Sequence, residues 1–358
     1  MPPFRGWSSW NALGINVNAD DVLANAAALS RLCPSYRFVN IDDGFFFGRD
    51  DDGRLLVHPE KFPDGMRSCL DRIRHMGLRT GIYSDAGRNT CGFYHSGDAH
   101  GRGAGLEDHE HADIQMYLRD WGCDLLKVDW CGAWMRMNAR KRYTEIGGII
   151  RSVRPDALFS VCSWAWPGQW VTSVADSWRV GPDLQPTFSS VLDAVHKTKH
   201  LWKHASSRGF NDLDILQLGH GMGDREERTH FAMWCMLNSP LLLSFDLPSA
   251  SPALIDLVNH PELLAIHDDP LGRQAVCTSE VDGVSVWKRR LNDGSVAVAC
   301  MNETDQHRVA SVHCDSPVDD AVDCWTSGQV PVRGRSFAVR LAPRDTAVYT
   351  IQEGFCRA

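Results

Sequence analysis

The stretch Leu125-Leu126-Lys127-Val128-Asp129-Trp130-Cys131 begins as a short apolar run and ends in charged residues. It lies between Gly122-Cys123-Asp124 and Gly132 and is too short for an amphipathic helix, so it predicts a buried strand. Residues i and i+2 of a strand share a face, and Lys127 and Asp129 should therefore lie side by side at its end. The cation would keep Asp129 ionised and oriented, as a carboxylate nucleophile requires, although a surface ion pair has the same pattern.

The same order of apolar and then polar residues recurs along the chain, separated by helical patterns. Further strands are predicted within residues 6–11, 38–44, 79–85, 158–162, 178–180, 209–212 and 241–244. Eight strands alternating with helices over about 250 residues predict a (β/α)8 TIM barrel. From Ala275 onward, residues alternate as in a small C-terminal antiparallel β-sandwich. We therefore expect a barrel domain over residues 1–270 and a β domain over residues 271–358.

Several connections between the strands have recognisable patterns. Asn18 is placed to cap a helix that has an apolar stripe. Residues 50–52 are predicted to form a charged turn, residues 58–66 a loop rich in Pro and Gly, and residues 86–105 a long loop. A helix should follow that loop, since residues 114, 117, 118 and 121 are apolar and spaced as on one helical face.

Composition excludes several classes of function. The 358 residues are 43% hydrophobic and carry a formal net charge of −8 without a basic stripe, so neither nucleic acid nor a membrane is an expected partner. The twelve cysteines lack the CxxC spacing of zinc sites. The Glu-Asp-His-Glu-His segment at 107–111 does not place its histidines on one helix face, and we predict no metal and no cofactor.

Residues 1–5 do not form a signal sequence, so a cytoplasmic location is expected.

Acidic residues gather where the predicted strands end, the face on which barrel enzymes keep their chemistry. Asp42-Asp43, Asp85, Asp129, Asp183 and Asp212 with Asp214 all follow apolar segments. Such a group of carboxylates suits either a divalent metal or the paired-carboxylate chemistry of glycosidases. The tryptophans at the same end favour a sugar, because indole rings suit the apolar faces of sugar rings.

The motifs at these strand ends occur in an order that resembles one enzyme family. They are Gly-Trp-Ser-Ser-Trp-Asn (6–11), Asn-Ile-Asp-Asp (40–43), Gly-Ile-Tyr-Ser-Asp (81–85), Leu-Lys-Val-Asp-Trp-Cys (126–131), Ser-Trp-Arg-Val-Gly-Pro-Asp (177–183), Asn-Asp-Leu-Asp-Ile-Leu (211–216) and Asp-Asp-Pro-Leu-Gly (268–272). Together they resemble the retaining α-galactosidases and α-N-acetylgalactosaminidases of glycoside hydrolase family 27.

The resemblance implies a role for each matching residue. Asp129 would be the nucleophile, and Asp183 would be the general acid/base. The implied substrate-binding residues are Trp10, Asp42, Asp43, Tyr83, Cys91, Lys127, Cys162, Ser163, Trp164, Arg179 and Asp214. The resemblance also implies that Cys91 and Cys131 lie close together and leaves open whether they form a disulfide.

One segment leaves the selectivity at the sugar's 2-position open. Many α-galactosidases of the family carry Cys-Glu-Trp after the fifth strand, whereas this chain has Cys162-Ser163-Trp164-Ala165-Trp166. The serine resembles the α-N-acetylgalactosaminidases, in which a small residue makes room for an acetamido group, but Trp166 would fill that room. Asp43 argues against the β-L-arabinopyranosidase variants.

We therefore expect a retaining exo-glycosidase that removes terminal α-D-galactosyl residues from oligosaccharides or glycosides. Within the class, the alternatives are an α-N-acetylgalactosaminidase and, more remotely, a β-L-arabinopyranosidase or an isomaltodextranase. A non-catalytic carbohydrate-binding barrel and a metal-dependent barrel enzyme are the alternatives from other classes. The sequence indicates neither the linkage nor the leaving group, and it does not indicate the oligomeric state.

Overall fold

The computed structural model of the chain describes residues 2–332 and 334–352. Its strands are β1 (Arg5–Ser8), β2 (Phe38–Ile41), β3 (Phe46–Arg49), β4 (Leu55–Val57), β5 (Arg79–Asp85), β6 (Leu125–Asp129), β7 (Leu158–Val161), β8 (Ser177–Arg179), β9 (Phe210–Asp212), β10 (Leu241–Leu243), β11 (Val276–Val281), β12 (Val284–Arg290), β13 (Val296–Asn302), β14 (Arg308–His313), β15 (Asp320–Asp323), β16 (Gln329–Pro331), β17 (Ser336–Leu341) and β18 (Thr346–Ile351). Its α-helices are α1 (Trp10–Leu13), α2 (Ala19–Leu32), α3 (Gly65–His75), α4 (Cys91–His95), α5 (Glu110–Gln115), α6 (Ala139–Val153), α7 (Phe188–Thr198), α8 (Asp224–Met236), α9 (Pro252–Val258) and α10 (Pro261–His267).

Eight strands form one sheet in the order β10-β1-β2-β5-β6-β7-β8-β9. The pairs from β1 to β8 are parallel, and helices occupy most of the connections between them. Each predicted barrel strand is present, which confirms the (β/α)8 fold class. Strand β5 has the predicted bounds, and β6 ends two residues earlier than the quoted stretch, at Asp129.

Helix α2 shows how local sequence sets these elements. The side chain of Asn18 accepts a hydrogen bond from the Asp21 backbone N at 3.0 Å, which satisfies one of the donors that a helix start leaves unpaired. The apolar stripe predicted for this helix, Val22, Ala26 and Leu29, is fully buried. The predicted cap and the predicted buried face are both confirmed.

Three local features differ from the sequence prediction. Residues 46–57 contain the antiparallel hairpin β3–β4, which the sequence did not predict, although the predicted charged turn at residues 50–52 lies between its two strands. The helix after residue 105 changes to a π-helix over Met116–Asp120, and the backbone N of Trp121 donates to the carbonyl of Met116 at 2.8 Å. The predicted long loop contains the short helix α4.

The C-terminal strands are antiparallel, as predicted. A six-stranded sheet has the order β11-β12-β13-β18-β15-β16, and β14 pairs with β17 in a second sheet. Side chains of both sheets share one apolar core, with Val298, Val312 and Phe337 among its members. This is the two-layer packing of a β-sandwich.

The chain divides into two compact units. The first consists of Phe4–Pro182 and Leu242–Ser251, and the second of Met1–Pro3, Asp183–Leu241 and Pro252–Ala358. The domain boundary at residue 270 stays a prediction. Over residues 2–332 and 334–352, none of the helices is both long enough and apolar enough to cross a bilayer.

Candidate active site

The register of β5 and β6 brings four polar side chains to one edge of the sheet. Tyr83 pairs with Lys127, and Asp85 pairs with Asp129, so each pair lies level on the two neighbouring strands. Both strands end at these aspartates. This is the carboxyl-terminal edge, at which ligands bind in parallel α/β folds.

Lys127 lies between two carboxylates. Its Nζ donates to Asp42 Oδ2 at 2.9 Å and is 3.7 Å from Asp129 Oδ2. It also lies 5.5 Å from the centre of the Tyr83 ring. Burial alone would lower the pKa of Lys127, but the charges of Asp129 and Asp42 raise it well above its ordinary value. Lys127 is therefore a permanent cation beside Asp129.

Asp42 is fixed by Ser9, which directly follows β1, and by Asn40 of β2. Its backbone N donates to Ser9 Oγ at 2.9 Å, and Asn40 Nδ2 donates to its Oδ2 at 3.3 Å. Trp10 follows Ser9 directly and opens α1, where it is half-buried. The structure thus brings Trp10 and Asp42 to the ends of neighbouring strands.

Asp43 is fully buried and accepts hydrogen bonds from two backbone amides. Gly92 N donates to its Oδ2 at 2.6 Å, and Gly44 N donates to its Oδ1 at 2.8 Å. Burial raises the pKa of Asp43 to about 7, and these amide hydrogen bonds oppose the rise without cancelling it. Gly92 is also a tight fit, since a Cβ there would lie 3.0 Å from Asp43 Oδ2. The segment that contains Cys91 therefore packs directly on this carboxylate.

A disulfide joins Cys91 to Cys131, so the predicted proximity of the two cysteines is confirmed. Cys91 Sγ lies 3.6 Å from Asp129 Oδ2. Because a disulfide sulfur carries no proton, this approach is a contact and not a hydrogen bond. Tyr83 Oη accepts from the backbone N of Cys91 at 3.1 Å, which fixes the same segment from the β5 side.

Asp85 lies in the candidate site, although it was not among the predicted substrate-binding residues. Its Oδ1 accepts from Gly87 N at 2.7 Å and from Gly132 N at 2.9 Å, and so ties together the loops after β5 and β6. Burial raises its pKa well above the ordinary range. The signal available in the sequence was its place at the end of a predicted strand. Its contacts indicate that it positions the loops beside Asp129.

Arg179 and Cys162 meet at the ends of β8 and β7. Arg179 is buried, its Nη1 lies 3.5 Å from Cys162 Sγ, and its Nη2 donates to the carbonyl of Gly181 at 3.2 Å. Ser163 and Trp164 follow Cys162 and are half-buried. The structure therefore places these four predicted residues on adjacent strand ends.

Asp183 and Asp214 belong to the second unit, where Asp183 is exposed. Asp214 Oδ2 accepts from Leu184 N at 2.7 Å, and its Oδ1 accepts from Ile215 N at 2.7 Å. Gln217 Nε2 donates to the carbonyl of Leu184, also at 2.7 Å. Two buried side chains thus hold the residue that follows Asp183. The contacts of Asp214 are those of a positioning residue, a role that the sequence did not indicate.

Among the residues that the structure describes, two groups of side chains have metal-ligand spacing. In the first, Asp85, Cys91 and Cys131, the sulfurs form a disulfide and offer no thiolate ligand. In the second, His196, Glu280 and Glu303, the carboxylate of Glu280 is bound by the ammonium of Lys199.

A sequence model of the family described as "Alpha galactosidase A" matches residues 5–269. The chain belongs to this family. The resemblance to glycoside hydrolase family 27 is thereby confirmed, and the chain is a glycoside hydrolase of that family.

Individual relatives of the family match most of the chain. The α-galactosidase A of Cellvibrio japonicus is 33% identical over an alignment of 319 positions, which covers 85% of this chain and 76% of that protein. Alpha-galactosidase 3 of Arabidopsis thaliana is 32% identical over an alignment of 366 positions, which covers 98% of this chain and 81% of that protein.

Solved structures agree in fold. A Bacteroides fragilis protein that is 29% identical matches with a TM-score of 0.91 and covers 99% of this chain and 80% of its own. Alpha-galactosidase I of Mortierella vinacea, at 24% identity, matches with a TM-score of 0.89 and covers 99% of this chain and 97% of its own. This second match supports the fold alone.

Proposed function

We propose that the chain is a retaining exo-glycosidase that hydrolyses terminal α-D-galactosyl residues from oligosaccharides or glycosides. The observation that carries this proposal is the carboxylate of Asp129 at the end of β6, with the ammonium of Lys127 3.7 Å away. A nearby cation favours the ionised carboxylate, which is the form that attacks a sugar carbon. The α-galactosidases at about 30% identity support the substrate class.

The reaction would proceed in two displacements. In the first, Asp129 attacks the anomeric carbon while the bond to the leaving oxygen breaks and that oxygen takes the proton of Asp183. In the second, Asp183 removes a proton from water, the water oxygen attacks the anomeric carbon, and the bond to Asp129 breaks. The product keeps the α configuration, and both carboxyl groups return to their starting protonation states. Asp214 would keep Asp183 in place through Leu184.

Asp42 and Asp43 would hold the galactosyl ring. Carboxylates accept strong, directional hydrogen bonds from hydroxyl groups, so an adjacent pair can select the arrangement of the 4- and 6-hydroxyls. Asp42 is already oriented by Ser9 and Lys127. A Saccharomyces cerevisiae α-galactosidase of the same fold has been solved with raffinose, and we propose a galactose-containing oligosaccharide as the substrate here as well.

Variants of the two proposed catalytic residues test the mechanism. Asp129→Ala should lose several orders of magnitude in kcat, and Asp183→Ala roughly 10²–10⁴-fold. The loss in Asp183→Ala should be larger for melibiose than for a p-nitrophenyl α-galactoside, because the nitrophenolate leaves without a proton. Asp224→Ala, at an exposed carboxylate of α8, is the control. Near-normal turnover by Asp129→Ala would disprove the assignment, as would an initial β product by NMR.

A second candidate, α-N-acetylgalactosaminidase, is favoured by the position of Trp166. Its ring packs edge-on against Trp178, with the ring centres 6.3 Å apart. Trp178 precedes Arg179 on β8, and consecutive strand residues point to opposite faces. Trp166 is therefore directed away from the face that carries Arg179, which favours free space beside Ser163.

Initial rates on three p-nitrophenyl glycosides separate the candidates: the α-D-galactoside, the α-N-acetylgalactosaminide and the β-L-arabinopyranoside. A preference for the galactoside supports our first proposal. A preference for the acetamido sugar would show that Ser163 decides the 2-position, and Ser163→Glu should then reverse the preference. Inactivity on all three would overturn both candidates.

The cytoplasmic location remains a proposal that rests on the sequence alone. Cell fractionation with an antibody to the full chain tests it, and recovery outside the cytoplasm would refute it. Non-reducing mass spectrometry of the same fractions would report whether Cys91 and Cys131 are joined in the cell.

A further inference from the structure

An exposed aromatic pair follows the strand that carries Asp129. Trp134 lies in the loop after β6 and is 58% exposed, whereas Trp130, in the same loop, is buried against Tyr143. The ring centre of Trp134 lies 6.1 Å from that of Trp164, and the two ring planes are inclined by 48°. Trp164 follows Cys162 at the end of β7. The two rings thus come from adjacent loops at the edge of the sheet that carries the candidate site.

The loop that carries Trp134 is fixed on both sides of the ring. Before it, Cys131 is held by the disulfide and Gly132 N donates to Asp85. After it, the Arg136 guanidinium donates to both carboxylate oxygens of Glu107, each at 2.9 Å, and to the carbonyl of Gly132 at 3.2 Å. An exposed ring on a fixed loop loses little further freedom when it binds a ligand.

Both loops also contain a strained backbone residue. Met135 has φ of 59° and Trp164 has φ of 57°, in the left-handed region that bulky residues seldom adopt. Such strain concentrates at ligand clamps, where the surrounding structure maintains it. The ring of Trp134, beside Met135, is largely exposed to solvent and therefore contributes little packing energy to the fold. Strain and exposure therefore point independently to a binding surface.

We propose that Trp134, together with Trp164, binds the sugar ring of the leaving group. This inference rests on the proposed function, in which the buried carboxylates of Asp42 and Asp43 hold the galactosyl ring. An exposed ring in the loop after Asp129 is suited to the part of the substrate that extends outward. The apolar face of an uncharged hexose matches an indole ring. The substrates are accordingly α-galactosides whose leaving group is itself a hexose unit, rather than a lipid or a simple alcohol.

The test compares melibiose, whose leaving group is glucose, with α-D-galactosyl fluoride, whose leaving group is one atom. In Trp134→Ala, the ratio of kcat/KM for melibiose to kcat/KM for the fluoride should fall roughly tenfold. Trp134→Phe should recover part of that ratio, because it keeps a ring. Trp202→Ala removes another exposed tryptophan, 46% exposed and located before the start of β9, and should leave both activities unchanged.

An unchanged ratio in Trp134→Ala would overturn the inference, and so would an equal loss on both substrates, which indicates a structural role. If the wild-type protein hydrolyses neither compound, the proposed function fails separately. Calorimetric titration of melibiose into the wild type and Trp134→Ala then decides the inference: weaker binding by the variant supports it, and equal binding or none refutes it.

Discussion

Replacing Lys127 with methionine removes the cation between two buried carboxylates and keeps a side chain of similar length. The ammonium lies 2.9 Å from Asp42 Oδ2 and 3.7 Å from Asp129 Oδ2. At an effective dielectric constant of about 20, each attraction is roughly 4–6 kcal/mol before the cost of burying the charges. After that cost, removing one partner of a buried ion pair typically destabilises a protein by roughly 3–5 kcal/mol. We expect Lys127→Met to lose about this much free energy of unfolding at pH 7.

The pH dependence gives a second test of the same reasoning. Because the folded-state pKa of Lys127 is raised, its stabilising contribution is complete below its unfolded value of about 10.4 and is lost only as the pH rises through the folded value. The difference between wild type and Lys127→Met should therefore be constant from about pH 6 to 9.

Denaturant unfolding followed by tryptophan fluorescence measures this difference across the pH range. Lys127→Arg, which keeps the charge, should lose less stability than Lys127→Met. If Lys127→Met were as stable as the wild type at pH 7, the ammonium would not hold these carboxylates together, and the electrostatic account of Asp129 would be refuted.

The other predictions concern buried groups near the proposed reaction centre. Burial raises the pKa of Asp43 to about 7, so its contribution to the free energy of unfolding should decline by roughly 3–4 kcal/mol as the pH rises from 4 to 8. Asp43→Asn should show a smaller decline over the same pH range, and an equal decline would contradict the raised pKa. The Cys91–Cys131 bond closes a loop of 40 residues, and its reduction should cost roughly 4 kcal/mol, measured as unfolding with and without reductant; unchanged unfolding would count against the bond. Asp214→Asn should lower kcat roughly 10–100-fold while leaving KM nearly unchanged, because a misplaced Asp183 acts poorly as an acid; a change confined to KM would instead indicate that Asp214 binds the sugar.

The barrel strands were predictable because each one carries its own signal. Strand β5, Arg79–Asp85, has the predicted bounds. The β3–β4 hairpin was missed because its ladder is irregular between Phe46 and Arg49, where Gly48 has φ of 77°. A bulge of this kind interrupts the alternation that identifies a strand.

The candidate site, like the fold, was predicted only in part. Chain order predicted which residues come to the strand ends, Lys127 and Asp129 among them. It did not predict that Asp85 would bridge two loops, or that the oxygens of Asp214 would be occupied by backbone amides. The sequence does not distinguish an aspartate that binds substrate from one that binds backbone amides, because the two differ only in which groups lie near them in the folded protein.

The amino-acid sequence by itself determined the eight-strand pattern, the family and the adjacency of Lys127 to Asp129, since each depends on residues close together in the chain or on an ordered set of motifs. Only the tertiary structure decided which distant groups meet. Lys127 binds Asp42, 85 positions away, and the rings of Trp134 and Trp164 come together from two loops. Strand register and loop packing set those meetings, and both are properties of the folded chain as a whole.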